Sequence, residues 1–181
     1  MLFRSHLRLG WRPDVDQTEL KTRAALAVYA TLLGGSMGSR LFDEIREQRG
    51  LCYAIRSYAF SHADASSLEV MAGLDSSKLH EAYARIREIV AELADEGPRD
   101  GEVERARAYA AGSTVLSLES TGAVARRAAG PTVTVGEIQS PDETIDALDA
   151  VTEDDVREIA RAVTGAPAGA GVGPHDASDF D

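Results

Sequence analysis

From His6 to Arg12 the apolar residues Leu7, Leu9 and Trp11 alternate with His6, Arg8, Gly10 and Arg12, which predicts a strand with one buried face. The period then lengthens. Asp16-Gln17-Thr18-Glu19 reads as a capping box with Asp in the cap position, and Leu20, Ala24, Ala27, Val28 and Thr31 recur at helical spacing up to a stop at Gly34-Gly35. After a short loop, Arg40 to Gln48 predicts a second helix, apolar at Leu41, Phe42 and Ile45 and stopped by Gly50. Two strand-like runs follow, Cys52 to Ser61 and Leu68 to Leu74, joined by the turn-forming Ala63-Asp64-Ala65-Ser66.

The longest helix starts at Leu79, with Ala82, Tyr83, Ile86, Ile89, Val90 and Leu93 on one face and Gly97-Pro98 as its end. Asp100 or a neighbour can cap another helix, running to about Leu118, and Ser120 a shorter one to about Ala129. Pro131 and Pro141 bracket a stretch read as irregular. Beyond it, Asp142 and Thr152 each precede a short helical pattern as caps. Thr164 to Asp181 is rich in Gly, Ala and Pro, with a weak strand near Ala170 to Val172 and a disordered acidic end. The expected organisation is one α+β domain over residues 1–165, a largely antiparallel sheet with helices packed on one face, and a flexible tail over 166–181.

Composition narrows the function classes. A net charge of −11 argues against nucleic acid and anionic membrane surfaces as partners, and no apolar run approaches a membrane span. The first residues lack a secretory apolar region, so cytoplasm is the default compartment. The single cysteine, Cys52, excludes an internal disulfide and reads as a small buried hydrophobe.

His6, His62, His80 and His175 are scattered, and where His80-Glu81 begins a His-Glu-x-x-His pattern the last position is Ala84, so no metal is expected in this chain. Gly34 to Ser39 lacks the Lys-Ser/Thr of a phosphate loop, and Ser120 has no histidine nearby and suits a helix cap.

Arg46 and Tyr53 stand seven apart across the helix-to-strand junction at Gly50-Leu51-Cys52. A guanidinium offers a fork of donors to carbonyls, and a phenol can donate to a carbonyl oxygen as it gains negative charge. By residue type alone they read as an exposed helix arginine and a core tyrosine, the ordinary places for both.

Leu33-Gly34-Gly35, followed by Ser39-Arg40-Leu41-Phe42-Asp43-Glu44-Ile45-Arg46-Glu47-Gln48-Arg49-Gly50-Leu51-Cys52-Tyr53, resembles the C-terminal half-domain of the M16 zinc peptidases, the pitrilysin, insulin-degrading and mitochondrial processing peptidase group. Glu102 to Ala106, Leu118 to Gly122 and Ala150 to Val156 follow in the expected order, so the resemblance covers most of residues 6–165. It implies that Arg46 and Tyr53 contact substrate backbone beside a metal and support the tetrahedral intermediate. It also implies that zinc, held by an inverted His-x-x-Glu-His helix and a downstream glutamate, belongs to a partner N-terminal half-domain. This chain would then carry no catalytic residue by itself and would hold peptide for that partner, with self-association where the partner is missing. The other reading is a non-catalytic assembly or peptide-binding module, although a scaffold has no need of the Arg46 and Tyr53 pair.

Overall fold

A computed structural model describes residues 4–180. The alternating strand runs over Arg4–Trp11 (β1), and the two strand-like runs form Cys52–Ser61 (β2) and Ser66–Asp75 (β3). A fourth strand, Ala168–Val172 (β4), pairs with the free side of β1, giving an antiparallel sheet in the order β2-β3-β1-β4. The segment from 166 onward, read from composition as a flexible tail, thus contributes an edge strand. It then turns through a short 3₁₀ segment at Ala177–Phe180 that sets the Phe180 ring edge-on to Tyr83, 6.0 Å away.

The sheet is two-faced because its side chains alternate. Leu7, Leu9, Trp11, Leu68, Val70, Ala72 and Leu74 are buried under helices, and the opposite face is open. The helices are Leu20–Ala30 (α1), Leu79–Glu96 (α2), Glu102–Ser117 (α3), Thr121–Thr134 (α4), Pro141–Asp149 (α5) and Glu153–Ala162 (α6), of which all but α4 bury residues in the core. The α2 stripe is buried as its periodicity predicts, at Leu79, Ala82, Tyr83, Ile86, Ile89, Val90 and Leu93. Gly97, with φ +81°, ends it in a conformation that a side chain would resist. No helix among the described residues is long and apolar enough to cross a membrane.

Several helix ends differ from the sequence expectation. Asp16 accepts bonds from the Thr18 N–H and hydroxyl, closing a local turn, and α1 starts later, with Glu19 at its cap position and no side-chain cap. At α3 the cap position is Gly101, at φ +72°, while the Glu102 carboxylate takes the Arg99 N–H. For α5 the cap is Ser140 rather than Asp142, in a capping box with Glu143 and with Pro141 in the first turn. The Thr152 cap of α6 is present, reciprocated by Asp155. Helix α4 continues through Pro131, longer than predicted; Pro131 lies ten residues in and costs the helix one backbone donor.

The stretch from Thr31 to Gln48 is wound unusually. Thr31–Gly35 and Phe42–Gln48 are π-helical, a geometry frequent at functional sites. Ser57 Oγ, from β2, donates to the Ala30 carbonyl at 2.6 Å where α1 widens, and a Cβ on Gly34 would come within 2.8 Å of the Ser57 backbone nitrogen. The first π turn is therefore pressed directly onto the sheet.

The second π segment is anchored from behind. Arg40, 4% exposed, sends Nε and Nη2 to the Glu102 carboxylate, the latter at 2.7 Å, and Nη2 also to the Gly97 carbonyl at 3.0 Å. Arg85 of α2 holds Glu44 of the π segment at 2.5 Å.

Candidate functional site

Arg46 lies in the last turn of the π segment, and its backbone carbonyl accepts the Gly50 N–H at 3.2 Å. Gly50, at φ +58°, turns the chain into β2. The Arg46 guanidinium rests over the Phe42 ring, 4.6 Å from its centroid, with Glu47 Oε1 3.7 Å from Nε. A planar guanidinium stacked in this way keeps its edge donors available. Its charge is also felt by Cys52, whose buried thiol is pushed up to about 11 by desolvation against the opposing pull of Arg46. Cys52 is thus a protonated, buried residue, as its place in an apolar strand suggested.

Tyr53 is not a core tyrosine; it is 46% exposed. The β2–β3 pairing steps from Cys52↔Leu74 to Ala54↔Gly73, so Tyr53 is the extra residue of a bulge. The bulge delivers it to the open face of the sheet, where its ring lies across Gly73. A Cβ there would sit 2.5 Å from the ring Cζ and the hydroxyl oxygen. The ring needs a glycine beneath it.

Tyr53 helps line an open-face hollow of about 510 Å³, together with Arg8, Arg56, Tyr58, Met71 and Val172. Arg46 is not among its lining residues and precedes Gly50 in the chain. The structure therefore puts the two predicted residues on adjoining elements at one end of the sheet, each with its own seat. Gly73, Phe42 and Arg56 were missed by sequence reasoning. Arg56 had a signal, since it falls in the same period-2 set of β2 as Tyr58 and Phe60.

None of the histidines builds a metal centre. Among the described residues no three His, Cys, Asp or Glu side chains gather as a group that could hold an ion, so zinc does not fit this chain's own residues. His80 and His175 each approach a different oxygen of Asp179, at 3.2 and 3.5 Å. His175 Nε2 also bonds Ser5 Oγ, giving the order hydroxyl, imidazole, carboxylate. Ser5 is wholly buried, however, and offers a substrate no approach. This group clasps the C-terminal segment onto β1 and α2.

The family model for the peptidase M16 inactive domain matches residues 4–109. The chain belongs to that family. It is 40% identical over 161 residues to an uncharacterized zinc protease of Streptomyces coelicolor, covering 89% of this chain and 35% of the relative. A Bacillus subtilis protein also named an uncharacterized zinc protease is 36% identical over 158 residues, covering 87% of this chain and 38% of the relative. The chain thus spans little more than a third of the curated relatives it matches. The crystal structure of a peptidase M16 inactive domain from Pseudomonas fluorescens superposes with a TM-score of 0.77 at 19% identity, over 94% of this chain and 40% of that one. That likeness is one of fold, an α+β M16 inactive domain with helices on one face of an antiparallel sheet.

Proposed function

We propose that this M16 inactive domain is the substrate-holding half of a zinc metallo-endopeptidase. It contacts peptide backbone through Arg46 and Tyr53 while a separate N-terminal half supplies the metal. The observation that carries this reading is the placement of Tyr53, thrust by a bulge onto the open sheet face and seated on Gly73 beside a hollow large enough for peptide side chains. A phenol held in this way has a fixed direction in which to donate to an oxyanion. Arg46, stacked on Phe42, presents donors suited to carbonyls of an extended chain. The relatives' name, zinc protease, and their greater length support a metal-bearing partner half.

The test is steady-state kinetics of the assembled enzyme. Tyr53→Phe removes one donor and keeps the ring, with an expected loss of roughly 10²- to 10³-fold in kcat. Arg46→Lys keeps the charge and loses the fork, and should lower kcat/KM with an unchanged thermal midpoint. Near-normal kcat/KM for both would overturn the assignment and favour a non-catalytic assembly module.

A further inference from the structure

The strand registers turn the open face into a lattice. Ala54, Gly73, His6 and Val172 form one cross-strand row; Arg56, Met71, Arg8 and Ala170 form the next; Tyr58, Glu69, Gly10 and Ala168 form the third. The middle row places two guanidiniums on either side of Met71, in a chain whose net charge is −11. The two are not equivalent. Arg8 is engaged, with Nε 3.2 Å from Glu69 and Nη2 donating to Met71 Sδ at 3.0 Å. Arg56 bonds the Gly35 carbonyl at 3.3 Å and has no carboxylate partner among the described residues. It is an exposed cation between two apolar flanks, Tyr53 over Gly73 on one side and the Tyr58 and Phe60 rings, 6.3 Å apart, on the other.

We propose that this face selects extended peptides carrying an acidic residue with apolar residues two positions to either side. The inference rests on the peptide-holding role of the open face and adds its chemical preference. An extended chain repeats its same-face side chains every ~6.8 Å, the spacing that also separates Arg56 from Tyr58 along β2. One carboxylate on Arg56 therefore brings the residues at its second neighbours over the aromatic and glycine-backed flanks. Glu69 Oε2 already faces Arg8 Nε at 3.2 Å, so the carboxylate in the middle of the face is partly neutralised for a basic peptide.

The experiment uses two end-blocked, fluorescein-labelled nonapeptides that differ only at the central position, glutamate or lysine, with leucine two residues to either side. Anisotropy titration of the chain is run at about 0.15 M salt, where the Debye length of about 8 Å screens distant acidic charge. The glutamate peptide is expected to bind about tenfold tighter. Arg56→Gln should bring the two within about twofold, chiefly by weakening the glutamate peptide, whereas Arg8→Gln should not abolish the preference. Equal binding, a preference for lysine, no binding of either peptide, or a preference that survives Arg56→Gln would overturn the proposal. So would displacement of peptide by self-association through this face, seen as a change in sedimentation on Tyr58→Glu. In the assembled enzyme the two claims separate: a large Tyr53→Phe defect without glutamate preference removes the selectivity alone, and a harmless Tyr53→Phe removes the catalytic role of Tyr53.

Discussion

Gly73 bears on function although it has no side chain. Its φ is not in the left-handed region, so alanine suits the backbone, and the obstacle is the Tyr53 ring above it. Because that ring is part-exposed, Gly73→Ala should leave the free energy of unfolding within about 1 kcal/mol of wild type while moving the phenol by an ångström or more. Misplacement on that scale can cost about 10²-fold in rate. The expected outcome is a fall in kcat of that order in the assembled enzyme, with no further fall when Gly73→Ala is added to Tyr53→Phe. A melt that drops sharply instead would make the glycine a folding residue. The sequence named Tyr53 by its motif but could not name Gly73, because the link runs across β2 and β3 through a bulge that shifts the register by one. Arg46 was legible as a helix-end arginine; its seat on Phe42, four residues earlier, is seen only in the structure.

At the scale of elements, the junction that carries Arg46 is held by a buried ion pair. Arg40→Met leaves the Glu102 carboxylate without its partner and should cost about 3–5 kcal/mol in urea unfolding. Glu102 also sets a pH dependence. Burial pushes its carboxyl up, but bonds from Arg40 and the Arg99 N–H more than offset that, and it ends below the usual range. A carboxylate so depressed contributes stability above its unfolded value of about 4.3, and that contribution is lost as pH falls through the lower folded value. Glu102→Gln should therefore flatten the acid limb of stability below about pH 4.3 relative to wild type, as read by urea titrations at several pH values. An unchanged limb would contradict the pairing. Elements whose periodicity was strong, β1, β2, β3 and α2, were legible nearly to their ends. The misread ends come from choosing among neighbouring residues that suit caps by type: Asp16 spends its carboxylate on Thr18 two residues on, and at α5 the local Ser140–Glu143 capping box with Pro141 at its start outranks Asp142. β4 was faint because a run of Ala and Gly carries little apolar signal, and its pairing comes from the free edge of β1.

The chain covers little more than a third of the length of its curated relatives. Leu116, Val133 and Ile138 are 68%, 83% and 73% exposed, and α4 has no buried residue despite its alanines and valines. Under the proposed role these residues would be among those covered by the metal-bearing half. The isolated chain is expected to self-associate in sedimentation experiments, and Leu116→Glu with Val133→Glu should return it to monomer without altering its circular dichroism. A strict monomer at all concentrations would remove this expectation. Under the proposed role the chain completes an active site whose metal lies elsewhere. The most direct test of this role is complementation, in which the purified chain and a separately purified N-terminal half are assayed for peptide cleavage alone and mixed. Expected are no stoichiometric zinc and no cleavage for the chain alone, cleavage on mixing, and a loss of roughly 10²- to 10³-fold when the added chain carries Tyr53→Phe. Full activity of the metal half by itself, unchanged by adding this chain, would contradict it.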